Sequence, residues 1–425
     1  MIAFVGCEDD TPEPYEPEQE ETEEMIERVI DDANTINVSI SMERDAKPFE
    51  MHHIEVSDFE LREPQCTTPP YSYEGNIYNY DEDGNYTYNY DEDGNYTYNY
   101  GEEKAILDSY TFVGNKAYML INCDYKCINT SNDSHEFYIL EYDLDTDEYK
   151  EVYTYSDPDN GVSMAVYGAG EHIYMFDSDK YTLYEMDRET NEIEELRTFS
   201  ESNVIWYLDI LSYDNELNFT FSRLLNLDEV INDGADAIIE HMIYSFDTDT
   251  REWTEKNETN TDMDGSAETT DYINYDNGMY CEIKTNDDNA EIIVEDKYRL
   301  TYSDKNIIGS VIGYNEKGIT WRTSSNTTFG GGETYIKRYD VNDNNLYVVD
   351  ASSLGAVYGS FIEAGDGLVV ISSSLIYYMI PESGLTFVLT PRGDYTYNRK
   401  DGNRISVTEF DDMYNAIGIY YFDVE

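Results

Sequence analysis

Positive charge is what this 425-residue chain has least of: 26 Lys and Arg stand against 91 Asp and Glu, a formal charge of −65. That excludes ordinary nucleic-acid binding, which needs cations to replace the counterions along a phosphate backbone. An anionic bilayer surface is an equally poor partner. Cysteine is scarce as well. Cys7, Cys66, Cys123, Cys127 and Cys281 are too few for a disulfide scaffold, and no two are spaced C-x-x-C as zinc ligands would be. Cys123 and Cys127 read either as a bridge across a tight loop or as two buried or free thiols. No run approaches the roughly 18 apolar residues that span a bilayer. Five histidines carry no catalytic frame: His52 and His53 are adjacent without an H-E-x-x-H spacing, and His135, His172 and His241 have no motif around them. In so acidic a chain two carboxylates can always be found together, so a glycosidase-type pair cannot be argued from spacing.

What is abundant is aromatic and apolar mass. Hydrophobic residues make up 40%, with 43 Tyr, 15 Phe and 3 Trp, enough for a large core. The first residues, Phe4-Val5-Gly6-Cys7, resemble the lipobox of a bacterial lipoprotein signal with Cys7 as the acylated residue, although six preceding residues are fewer than a charged n-region and an apolar h-region require. Glu8 to Glu24 is acidic and carries Pro12, Pro14 and Pro17, as an extended tether would. Met25, Ile26, Val29, Ile30 and Ala33 then recur at helical spacing, which predicts a short helix. This divides the chain into a signal remnant (1–7), an acidic linker with a short helix (8–35), an N-terminal strand region (36–104) and a main body (105–425).

Within the strand region the decapeptide DEDGNYTYNY is written twice, at Asp81–Tyr90 and Asp91–Tyr100. Alternating Tyr predicts strands with one aromatic face, and Asp-Gly predicts the tight turn between them. The segment resembles the YD repeats of secreted toxins and wall proteins in turn chemistry, at half their period. Asp81 and Asp83, and again Asp91 and Asp93, fall at EF-hand-like ligand spacing, but Tyr90 and Tyr100 stand where the bidentate Glu belongs. Calcium is therefore a weak candidate and a solvated turn the stronger reading. No other cofactor is expected.

From residue 105 a unit of strand, Gly/Asn/Asp turn and strand recurs seven times. Its first apolar residues after the turn are Ala117, Ile173, Leu217, Met279, Ile319, Leu368 and Ile405, spaced about 48 residues apart. A four-stranded propeller blade takes that length. A second hairpin follows each, with Asp143, Asp145, Asp147, Asp187, Asp247, Asp249 and Asp340 at recurring turn positions, where short carboxylates bond the local backbone. The seventh copy ends after a third strand, Gly418 to Asp423. A ring left so would expose an edge, so the expected fold is an all-β, seven-bladed β-propeller closed by an N-terminal strand. Asn95–Tyr100 is the first choice for that strand, with Ile36–Met42 and Ile54–Leu61 as alternatives.

The stretch His172–Leu196 (HIYMFDSDKYTLYEMDRETNEIEEL) resembles blades of the secreted and lipid-anchored β-propellers of Gram-positive anaerobes, a likeness that covers about 105–425 and implies fold far more than function. Signatures of WD repeats, sialidase Asp boxes and Kelch doublets are missing. The loops between second and third strands are long at Asn122–Glu136, Asn226–Glu240 and Thr323–Glu333. That points to a ligand face with Tyr125, His135, Asp228, Asp233, Thr327 and Phe329 as candidate contacts. The expected function is that of a non-catalytic, extracytoplasmic, monomeric propeller binding a protein, peptide or glycan, with the membrane met only through a lipid anchor. The alternatives are a propeller enzyme acting on polysaccharide, lyase- or hydrolase-like, and a structural cell-wall protein.

Overall fold

The computed structural model describes residues 25–30, 34–61, 79–80, 86–87, 106–122, 135–157, 164–199, 205–213, 215–224, 239–260, 272–274, 281–285, 290–294, 297–302, 311–315, 317–324, 333–355, 360–372, 374–401, 403–411 and 415–424. Seven antiparallel sheets follow one another along the chain, the order of a propeller. Blade one is Ile106–Val113, Lys116–Asn122, His135–Asp143 and Tyr149–Asp157; blade two Met164–Ala169, His172–Asp177, Thr182–Met186 and Ile193–Thr198. Blade three is Ile205–Tyr213, Glu216–Leu224, Ile239–Asp247 and Glu252–Asn260; blade four Tyr272–Asn274, Cys281–Thr285, Ala290–Val294 and Tyr298–Tyr302. Blade five is Val311–Asn315, Gly318–Ser324, Thr334–Asp340 and Asn345–Asp350; blade six Ser360–Ala364, Gly367–Ile371, Ile376–Ile380 and Leu385–Val388. Blade seven contributes Asp394–Asp401, Arg404–Phe410 and Ala416–Asp423.

Each blade buries its alternate residues against its neighbours. Ala117, Ile173, Leu217, Ile319, Leu368 and Ile405, the anchors after the first turn, are all essentially solvent-free, and Met279 lies outside the described residues. The described residues hold six hydrophobic clusters, each shared by two adjacent blades. The one between blades two and three is built from rings: Tyr174, Phe176, Phe199, Phe219, Phe221, Tyr244 and Phe246.

The second hairpin of a blade turns by a repeated device. The Asp143 carboxylate accepts from the amides of Asp145 and Thr146 (3.0 and 3.1 Å), and Asp187 from Glu189 and Thr190 (2.9 and 2.7 Å). Asp247 accepts from Thr250 (2.7 Å), and Asp340 from Asn342 and Asp343 (2.8 and 3.2 Å). Four residues after each Asp the backbone turns left-handed, at Asp147, Asn191, Arg251 and Asn344, with φ of 55 to 59°. These carboxylates do the local backbone bonding expected of their spacing. The next amide in the turn ties the two hairpins of a blade together: Leu144 donates to the Asn115 carbonyl, Thr248 to Asn215, Val341 to Lys317 and Val424 to Asn403, at 2.8 to 2.9 Å. Asp145 and Asp249 add side-chain bonds from the Asn115 and Asn215 amides (2.8 and 2.7 Å). In the first hairpin of blade two Gly170 sits at φ +58°, and a Cβ there would lie 2.6 Å from the Asn215 Oδ1 of blade three, so glycine is required twice over.

The amino-terminal residues belong to the ring. Strands β1 (Ile26–Ile30), β2 (Thr35–Val38) and β3 (Ser41–Glu43) add in parallel to the outer strands of blades four, five and six. Strand β4 (His52–Glu55) completes blade seven, antiparallel to its third strand, with Ile54 opposite Ile419 and Glu55 opposite Gly418. A short 3-10 turn, Val56–Asp58, follows, and Phe59 then packs edge-on against Tyr142 and Tyr149 of blade one. The described residues between 25 and 61 thus lie at the rims of blades four to seven and reach blade one. Two expectations are corrected. The helix at 25–33 is strand β1, because its β-branched Ile26, Val29 and Ile30 meet an open sheet edge whose unpaired backbone groups satisfy a strand. The fourth place of blade seven belongs to β4, which starts two residues before the Ile54–Leu61 alternative and shares its paired Ile54 and Glu55, and not to the favoured Asn95–Tyr100, which lies outside the described residues. The decapeptide hairpin is present at its start, where Asn79–Tyr80 pairs with Tyr86–Thr87.

Ile54 is 4% exposed in the cluster that joins blades seven and one. Ile54→Ala should cost about 2–5 kcal/mol of stability, measured by denaturant unfolding, whereas the same change at Ile36, which is 40% exposed, should cost well under 1 kcal/mol.

Candidate functional site

In an antiparallel blade the turns between strands one and two and between strands three and four fall on one face, while the second-to-third loops and the inter-blade crossings fall on the other. The sequence candidates belong to the latter. Tyr125, Asp228, Asp233, Thr327 and Phe329 lie outside the described residues, as do Cys7, Asp81, Asp83, Asp91, Asp93 and the Cys123/Cys127 pair. His135 opens the third strand of blade one, opposite Asp157 of the fourth.

The described concavity is on the turn face. A cavity of about 890 Å³ spans blades one to three, walled by Lys116 and Tyr118, by Glu171, His172 and Glu185, and by the turn Asp187 to Glu194 with Arg251. A second, of about 720 Å³, shares Glu171 and His172 with it and is bordered by the first-hairpin turns of blades one, two, three and seven, at Gly114, Gly170, Asn215 and Arg404. Lys116, Arg188, Arg251 and Arg404 border these two concavities.

Equivalent positions carry equivalent roles. The second strand of blade one opens with Lys116 and that of blade two with His172, and each faces a carboxylate on strand three, Glu141 or Glu185. Glu141, 5% exposed, is held by Lys116 at 2.5 Å, by Lys150 at 3.1 Å and by the Tyr118 hydroxyl at 3.1 Å. Burial alone would raise its pKa; the two ammonium groups outweigh that and hold it below the usual carboxylate value. Glu185 has both oxygens engaged, Oε1 with His172 Nδ1 at 2.7 Å and Oε2 with Arg251 of blade three at 2.6 Å. Arg188 donates to the Glu171 carboxylate at 2.7 Å and to its carbonyl at 3.1 Å, and meets the Tyr118 hydroxyl of blade one. At the second cavity Arg404 grips Asp423 through Nε (2.7 Å) and Nη2 (3.0 Å), reaches the Gly114 carbonyl of blade one at 3.0 Å, and lies over Phe112 and Tyr421. Each seam from blade seven round to blade three is thereby crossed by a cation.

These contacts fix charge. Backbone and side-chain bonds from Thr190 hold Asp187 below its ordinary value. Arg188, despite its burial, and Arg251 are held above theirs by their hydrogen-bonded partners. Burial pushes the Tyr118 hydroxyl up to about 12, with Glu141 adding to this and Arg188 opposing. None of these shifts brings a group toward neutral pH, where an acid or base would be poised. One Glu185 oxygen is bonded to His172 and the other is ion-paired with Arg251.

No protein-family profile matches this chain, and no curated protein matches it. Among solved structures, the chain is similar to the acylaminoacyl peptidase of Pyrococcus horikoshii, with 11% identity, 74% of this chain and 50% of that one covered, and a TM-score of 0.46. It spans about half the length of that peptidase. It is also similar to YCF48 from Cyanidioschyzon merolae (10% identity, 75% and 95% covered, TM-score 0.39) and to the WD40 domain of SCAP from fission yeast (8%, 73% and 82%, 0.37). At this distance the likeness transfers no ligand or reaction; the seven sheets themselves make the chain a β-propeller.

The charge cluster within blade one carries a pH signature. Glu141 has a folded pKa below its unfolded value, so its contribution is fully present above the unfolded value, near 4.5, and is lost as pH falls through the folded one. Glu141→Gln should lower stability by about 1–3 kcal/mol at pH 7, and the gap to wild type should close in acid-unfolding series below about pH 4.5.

Proposed function

We propose that this chain is a non-catalytic β-propeller that binds a protein or peptide partner, with the turn-face cavity of blades one to three as part of its contact surface. The observation that carries the reading is the charged lining of that cavity: Glu185 of blade two sits between His172 and Arg251 of blade three, and Arg188 holds Glu171 within blade two while meeting Tyr118 of blade one. Charges positioned in this way set specificity and orientation in protein recognition. The lining is mostly charged, with Tyr118 nearly solvent-free, so it offers no exposed aromatic platform for a sugar ring. Carboxylates outnumber cations along its wall, and the chain's field of −65 favours a partner that presents basic groups. The reading calls on no cofactor. It includes an extracytoplasmic setting with Cys7 as a lipid anchor and the acidic, Pro-bearing residues 8–24 as its tether, supported by the lipobox-like Phe4-Val5-Gly6-Cys7.

The test is capture of partners from cell-envelope fractions with the immobilised protein, followed by affinity measurement on what is captured. Glu171→Lys and Glu194→Lys, at two exposed carboxylates of the wall, should each weaken binding at least about tenfold, and raising salt should slow association. Unchanged affinity in both variants would remove the cavity from the interface, and turnover of a polysaccharide by the purified protein would overturn the non-catalytic reading.

A further inference from the structure

A second feature of the seam between blades two and three lies three residues beyond Glu194, which borders the cavity. There the guanidinium of Arg197, on the outer strand of blade two, is enclosed by three rings. Its carbon lies 5.0 Å from the centroid of Phe199, 4.5 Å from Tyr244 and 4.6 Å from Trp253. All three distances are within cation–π range. The rings are steeply inclined, Phe199 to Tyr244 by 59° and Phe199 to Trp253 by 78°, and so form walls and not a stack. Tyr244 and Phe199 are buried at 2% and 3% exposure while Arg197 itself keeps 29%, so the guanidinium closes the mouth of the enclosure. Glu255, half exposed, stands at the rim with an oxygen 4.0 Å from Nη2.

Arg197 is held differently from the other seam arginines. Arg188, Arg251, Arg338 and Arg404 each donate hydrogen bonds of 2.6 to 3.1 Å. Among the described residues Arg197 donates none at such distances; ring faces and one distant carboxylate hold it. A ligand entering the enclosure therefore breaks no hydrogen bond of Arg197, and the displaced guanidinium regains water.

We propose that Phe199, Tyr244 and Trp253, with Glu255 at the rim, form an aromatic cage for a weakly hydrated organic cation, a guanidinium or methylated ammonium group carried by a partner. Arg197 occupies the cage as an internal stand-in and lowers its apparent affinity. A compact, strongly hydrated ammonium is a poorer fit, because ring faces cannot replace its water. This site is independent of the cavity reading: it can stand if the turn face binds nothing, and the reverse also holds.

The test uses tetramethylammonium and methylguanidinium ions as separate probes, titrated calorimetrically into the full chain. Arg197→Ala empties the cage, and Arg197→Met refills it with a neutral side chain of similar reach. Arg197→Ala should bind at least one probe about tenfold more tightly than either Arg197→Met or wild type, and the probe that binds tells a methylated ammonium from a guanidinium ligand. Adding Glu255→Gln should weaken that binding. Should Arg197→Ala fail to fold, the wild-type chain supplies the reading: high-millimolar probe should change its tryptophan emission, and Trp253→Phe should abolish the change. Equal affinity of Arg197→Ala and Arg197→Met, or no Trp253-dependent change in wild type, overturns the proposal.

Discussion

Everything in this molecule depends on one short pairing, in which His52 to Glu55 lies against the last strand of the chain. A propeller is a ring of sheets, and its stability is cooperative only if the first and last blades meet. Here the closing strand comes from before blade one, so residues 52–55 and the strand Ala416–Asp423 are bound in one sheet. The contact has more than backbone bonds. His53 stacks on Tyr420 with centroids 4.1 Å apart and its Nε2 lies 3.1 Å from Glu409, while His52 stacks on Tyr421. Phe59 and the Tyr149 hydroxyl, which accepts from the Glu60 amide, carry the same segment on to blade one. The adjacent histidines, silent as a catalytic motif, have a structural task.

The rest of the amino-terminal segment makes the closure continuous. Having added strands to three successive rims, it shields edges on blades four to six that would otherwise invite pairing with another chain. Electrostatics then set where the blades hold together. A charge of −65 repels itself, and the few cations are placed where they cross seams: Arg404 between blades seven and one, Arg188 between one and two, Arg251 between two and three, and Arg338 between five and six. At the last of these, burial drives the Glu363 pKa up against the opposing pull of Arg338, so that carboxylate is an expensive one to keep charged. The turn-face cavity and the Arg197 enclosure both occur where this seam chemistry meets solvent.

Much of the fold was legible because a blade's signals are local. Turn aspartates and post-turn anchors such as Ala117 and Ile173 lie within a dozen or so positions of what they determine, and their recurrence near every 48 residues repeats that local signal along the chain. Strand β1 was not legible, because Ile26, Val29 and Ile30 happen to fit a helical stripe, while β2 and β3 fall largely in the Ile36–Met42 segment, which reads as one strand and was offered for the wrong place in the ring. Closure could be narrowed only to three segments, since pairing across more than 360 positions leaves no spacing to read. The site was harder still. Glu185 and Arg251 are 66 residues apart, and Arg197 meets rings from the next blade. One signal was available: Lys116 and His172 open the same strand in successive copies, each before a buried Tyr and across from a Glu, in a chain where cations are rare.

Amide hydrogen exchange on the full-length protein, resolved by residue, tests closure most directly. The account predicts that the paired amides of His52–Glu55 and Gly418–Tyr421 exchange together, with protection comparable to the inner strands of blades one and two. Exchange of His52–Glu55 at the rate of an unstructured peptide, with Gly418–Tyr421 protected only on the side of Arg404–Phe410, would contradict it.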